Sequence, residues 1–94
     1  MVRSELIEKL AAANPHLEAA DIVKVVHTIF GEITNALHRG GRVELRGFGA
    51  FQPKQRQPRL GRNPRTGDPV HVDAKQVAAF RASKTLLVRL NQEP

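Results

Sequence analysis

The stretch Gly61-Arg62-Asn63-Pro64-Arg65-Thr66-Gly67 most restricts what this chain can fold into, because proline presets one backbone angle and Gly67 accepts a left-handed conformation. Such a segment is a turn. Its flanks are basic: between His38 and Thr66 the cations are Arg39, Arg42, Arg46, Lys54, Arg56, Arg59, Arg62 and Arg65, against the single acid Glu44. A plain surface hairpin would explain the proline and the glycines. It would not explain why Arg56, Arg59, Arg62 and Arg65 crowd one ribbon, where their repulsion is unfavourable unless phosphates neutralise it.

Charge is therefore segregated along the 94 residues. The first 37 carry three Lys/Arg against five Asp/Glu, whereas residues 38–66 carry eight against one, in a chain of net charge +6. A focused positive field captures phosphate polyanions, which puts nucleic acid first among partners and anionic membrane surfaces behind it. If the basic stretch projects into solvent, what is left is near the size where one core barely offsets chain entropy, and a partner subunit is the natural remedy. The absence of cysteine excludes disulfides, cysteine-ligated zinc and thiol catalysis. No apolar run reaches transmembrane length and the N-terminus lacks a signal-peptide core, so the expectation is a cytoplasmic chain without membrane attachment.

Leu6, Ile7, Leu10 and Ala13 recur at helical spacing from a Ser4 cap to the Asn14-Pro15 stop. A longer helix follows, with Ile22, Val25, Val26, Ile29, Phe30, Ile33, Ala36 and Leu37 on a wide apolar face that ends at Gly40-Gly41. That face is broad enough for a dimer core. The two helices could suggest a helix-turn-helix reader, but the second offers mainly Lys24 and His27 beside Asp21 and Glu32, which is poor chemistry for a DNA groove. From Arg42 the period becomes two, with Val43 and Leu45 on one side of a strand and Glu44 and Arg46 on the other. After the Gly47-Phe48-Gly49 turn a second strand starts at Phe51, and Pro53 and Pro58 are expected to take it out of the sheet as one side of an arm. Residues 69–73 return, and a last helix opens at Ser83 and buries Leu86, Leu87 and Leu90.

Taken together, Arg46-Gly47-Phe48-Gly49-Ala50-Phe51 and Gly61-Arg62-Asn63-Pro64-Arg65-Thr66-Gly67 resemble the signature of the HU and integration host factor family of bacterial architectural DNA-binding proteins. The resemblance covers essentially the whole chain. Ser4-Glu5-Leu6-Ile7 and Val43-Glu44-Leu45-Arg46-Gly47-Phe48-Gly49 are most similar to the beta-subunit branch of integration host factor. It implies an α+β fold of one domain over residues 1–94: a helical body (1–40), a short antiparallel sheet (41–52), a β-ribbon DNA-binding arm (53–74), and a sheet return with C-terminal helix (75–94). It further implies an intertwined dimer, formed with an alpha subunit or with a second copy, whose arms wrap the minor groove of double-stranded DNA and insert Pro64 between base pairs. The family is itself a standard example of such wedges. Residues that would contact DNA are Arg42, Glu44, Arg46, Lys54, Arg56, Arg59, Arg62, Asn63, Arg65, Lys75, Arg81, Ser83 and Lys84. The dimer core would take Ile29, Phe30, Ile33, Leu37, Phe48, Phe51 and Phe80. The implied role is nucleoid-associated DNA bending in support of recombination, replication and regulation of transcription and translation.

Three readings stay open at this level. Glu44 either forms a screened pair with Arg42 or Arg46, or orients Arg46 into the minor groove and makes binding depend on sequence. Lys84, with Arg81 and Lys75 nearby, either contacts a phosphate at the start of the last helix or is solvated charge. The family pattern often has proline where Ala78 stands and glycine where Ser83 stands, which loosens the expectation for that loop. The phenylalanines are expected in packing rather than base stacking, and the scattered His16, His27, His38 and His71 as structural or solvent-facing. No cofactor, metal site or catalytic constellation is expected. RNA binding through basic loops is the alternative from a different class, although an inserting ribbon suits A-form grooves poorly.

Overall fold

A computed structural model describes residues 1–92, and chain contacts divide it into two compact units, Met1–Asn35 and Ala36–Pro94. The first holds α1 (Arg3–Ala13) and most of α2 (Ala19–His38). Helix α1 starts two residues earlier than a Ser4 cap would allow. Val2 is the half-in residue, extended at φ −103° and ψ 169°, and its carbonyl accepts from the Leu6 N–H at 3.1 Å. Ser4 is thus left inside the first turn, where its hydroxyl caps nothing. The end of α1 is as expected: Asn14 Nδ2 donates to the Leu10 carbonyl at 2.9 Å, filling an acceptor that the finished helix leaves open.

Among the described residues Ile22 and Val26 are the only buried hydrophobic side chains. They lie one turn apart on α2, and the rest of its apolar face is far less covered: Val25 is 55% exposed and Ile29 52%. The helix closes with a Schellman arrangement, in which Gly40 (φ +82°) donates to Leu37 O at 2.9 Å and Gly41 donates to Ala36 O at 2.8 Å.

The second unit contains two antiparallel ladders. Strands β1 (Val43–Leu45), β2 (Gly49–Arg56) and β5 (Lys75–Ala82) form a sheet in the order β1-β2-β5, and β3 (Arg59–Arg62) pairs with β4 (Pro69–Val72). Pro53 does not take β2 out of the sheet: it sits opposite Ala78 within a ladder that continues to Arg56 opposite Lys75. The reason is the shortness of β1, whose last partner is Phe51. Beyond Phe51 one edge of β2 is open, and a missing N–H on that edge forfeits no ladder bond. The interruption comes instead at Gln57-Pro58, facing Asp73-Ala74 on the return strand.

Gly49 holds this sheet in register. A Cβ there would lie 2.5 Å from the Phe80 ring and 2.6 Å from the Arg81 carbonyl, so only glycine fits. Phe80 makes tilted contacts with Phe48 and Phe51, at ring-centroid distances of 5.2 and 4.8 Å. Gly47 serves a different need from close approach: its φ is +81°, with open space around it. Ser83 caps α3 (Lys84–Leu90), its Oγ accepting from the Leu86 N–H at 3.1 Å. Within this short helix Leu86 is half-buried, but Leu87 and Leu90 are exposed rather than buried as expected. A seven-residue helix with one covered side has room for one such leucine.

Candidate nucleic-acid interface

Side chains alternate across a strand, and residues directly opposite on neighbouring strands share a face. The register therefore sorts the sheet residues. Phe51 opposite Phe80, Gly49 opposite Ala82, and Val43 opposite Phe51 define one face, which is apolar. The other carries Glu44 opposite Ala50, Ala50 opposite Arg81, Lys54 opposite Val77, and Arg56 opposite Lys75. Four cations that are 27 residues apart at their extremes in sequence, Lys54, Arg56, Lys75 and Arg81, thereby reach one surface, and all four are exposed.

Beyond the interruption, the β3–β4 ribbon divides its cations. Arg59 shares a face with Gly61, Val70 and Val72, while Arg62 shares the opposite face with Leu60, His71 and Pro69. Leu60 is 76% exposed, so this ribbon encloses no core of its own.

The turn at its end is held by its own hydrogen bonds. Asn63 N–H donates to Asp68 O at 2.9 Å and Gly67 N–H to Asn63 O at 2.8 Å. The Asn63 side chain accepts from the Arg65 N–H at 2.9 Å, and Thr66 Oγ1 accepts from the Asp68 N–H at 3.3 Å. Gly67 takes the left-handed conformation, at φ +74°. This Asx turn fixes Pro64 at the apex, exposed, between Arg62 and Arg65. Asn63 is half-buried, with its carbonyl oxygen committed to shaping the turn.

Arg42 and Glu44 form an ion pair at 2.6 Å, with both side chains more than half exposed. Such a pair contributes about 0.2–1 kcal/mol. Of the two partners open to Glu44, the free chain uses Arg42. Arg46 lies in the following turn, around a shallow hollow lined also by Glu44, Gly49 and Ser83. Lys84 is exposed at the first position of α3, and Ser83 is half-buried with its hydroxyl engaged in the cap.

Of the residues expected at a dimer core, Ile29, Phe30, Phe48 and Phe80 are exposed in the single chain, and Ile33, Leu37 and Phe51 are half-buried. The sequence reading passed over the pair His71 Nε2 and Asp73 Oδ1, 2.9 Å apart on β4 and just beyond it. Their spacing of two along a strand, which places both on one face, was the available signal. Among the described residues no three His, Asp or Glu side chains form a group that could hold a metal ion, and no helix is long and apolar enough to cross a membrane.

The sequence pattern of the bacterial DNA-binding protein family matches residues 1–91. Among solved structures, an Anabaena HU–DNA cocrystal structure is similar over 99% of this chain and 100% of that one, at 29% identity and a TM-score of 0.88. A mutant HU from Thermotoga maritima is similar over 97% of this chain and 100% of its own, at 24% identity and a TM-score of 0.69, a likeness of fold.

Proposed function

The chain belongs to the bacterial DNA-binding protein family, a family of DNA-binding proteins rather than a class of enzymes, and on that premise we propose that it bends duplex DNA as a dimer. In this reading Pro64 enters between base pairs from the minor groove. The observation that carries it is the turn: a rigid ring exposed at the apex of a self-bonded loop and flanked by Arg62 and Arg65. A wedge of that kind replaces part of the stacking it breaks, and the kinked duplex then brings further phosphates to the protein. Lys54, Arg56, Lys75 and Arg81 on one sheet face, with Arg59 and the residues about Ser83 and Lys84, would receive those phosphates. Nucleoid association, and support of recombination, replication, transcription and translation control, would follow from sharp bending.

A second subunit is supported by the thinly covered face of α2, where Val25, Ile29 and Phe30 are each more than 40% exposed. Likeness of residues 4–7 and 43–49 to the beta subunit of integration host factor favours an alpha subunit as partner, and an HU-like homodimer with non-specific binding is the second reading. On the first, Glu44 orients Arg46 by exchanging its present partner Arg42, which makes binding depend on sequence.

Energy-transfer bending of end-labelled duplexes, with the chain alone and with an alpha subunit, tests the proposal. Bending should be strong and should fall in Pro64→Ala, and dependence on the alpha subunit would identify the heterodimer. Tight binding without bending would overturn the wedge and return double-stranded RNA to consideration.

A further inference from the structure

The last rung of the β2–β5 ladder is unfavourable as it stands. Arg56 and Lys75 are directly opposite, which puts their Cβ atoms about 4.5–5.5 Å apart on one face, an arrangement in which like charges destabilise a sheet. Both side chains line one hollow at the interruption between the ladders, together with Gln57, Arg59, Val72, Asp73 and Val77. Three of those residues are cations. The one acid, Asp73, pairs with His71 at 2.9 Å, and neither salt bridge in the described residues includes Arg56, Arg59 or Lys75. The hollow thus gathers positive charge that the free chain does not neutralise.

We propose, building on the DNA-binding reading above, that Arg56 and Lys75 jointly hold one backbone phosphate. A single anion between them turns the repulsive rung into two charge-assisted contacts. Because Arg59 approaches the same hollow from the other ladder, the phosphate also sits where it braces the interruption at Gln57-Pro58 and Asp73-Ala74. The two cations therefore count as one contact, not two, in the ion release that accompanies binding.

The test is the salt dependence of duplex binding by the full chain with whatever subunit it requires, for the parent, Arg56→Gln, Lys75→Gln and the double variant. Each phosphate contact contributes about 0.9 to the slope of log affinity against log salt, or about 3.5-fold in affinity between 50 and 200 mM. Each single variant should leave the slope nearly unchanged, because the remaining cation still neutralises the phosphate, and only the double variant should lower it by about 0.9. A loss of about 0.9 in each single variant, adding to about 1.8 in the double, would overturn the shared phosphate, as would an unchanged slope in the double variant. Absence of steep salt dependence in the parent would instead overturn the DNA-binding reading itself. The free double variant should melt no lower than the parent, since it loses only a repulsion; a clear drop in melting temperature would refute the premise that this rung is strained without DNA.

Discussion

The apolar face of α2 and the β3–β4 ribbon are both left uncovered, but by opposite kinds of side chain. On α2 the exposed residues are Val25, Ile29 and Phe30, which gain only by leaving water. On the ribbon and its turn they include Arg59, Arg62 and Arg65, which gain by meeting phosphate. Exposure alone therefore does not identify a partner. Its chemistry does: one surface suits a second protein subunit, and the other a polyanion. The two also differ in how they hold their shape. Helix α2 is closed by backbone bonds and a glycine cap, whereas the ribbon has four ladder pairs and a turn fixed by Asn63 and Thr66.

The comparison breaks most easily at Ile29. If a second subunit covers it, Ile29→Asp buries an unpaired charge and costs about 3–5 kcal/mol, which sedimentation should read as dissociation and melting as a lower midpoint. If Ile29 stays in water, the change is about 0.5 kcal/mol or less, and the protein-interface reading of α2 fails. A smaller effect is expected at Glu44. Glu44→Ala should reduce discrimination between preferred and random duplexes by about 1 kcal/mol while sparing affinity for random DNA, and competition binding would show it. Equal loss on both would reduce Glu44 to its screened pair with Arg42.

The smallest effect sharpens the comparison within α2 itself. Gly31 has Lys24, His27, Thr28, Thr34, Asn35 and His38 as its helical neighbours, on the side away from Ile22 and Val26, and nothing lies within 4 Å of where its Cβ would be. Gly31→Ala should therefore stabilise the chain by about 0.5–1 kcal/mol through the backbone entropy removed, as measured by denaturant unfolding. Destabilisation would mean that a partner approaches this polar side as well, and that α2 is not two-faced.

Much of this molecule is legible in the sequence where a local rule acts alone. The Gly40-Gly41 stop, the Ser83 cap and the Asn63-to-Gly67 turn are each decided within about six residues, by missing side chains, a hydroxyl at the right spacing, or a preset φ. The errors fall where a local rule meets a competing start, a strand's length or an uncovered face. Ser4 has capping chemistry, but the helix starts at Arg3 and strands it inside the first turn. Pro53 has breaking chemistry, but β1 ends at Leu45 and leaves it an open edge. Leu87 and Leu90 have core chemistry, yet the described chain leaves Leu87 about half exposed and Leu90 mostly so.

By itself the sequence determined that a proline-tipped basic turn follows an amphipathic helical half, because turn geometry and net charge are properties of neighbouring residues. Only the tertiary structure decided which cations act together. The pairing of Arg56 with Lys75 and of Ala50 with Arg81 depends on the register of β2 against β5, and a slip of one residue would send every one of those side chains to the opposite face. That register is set from the apolar side, where Gly49 admits the Phe80 ring and no larger residue would. The charged surface is thus arranged by packing that none of its own residues takes part in.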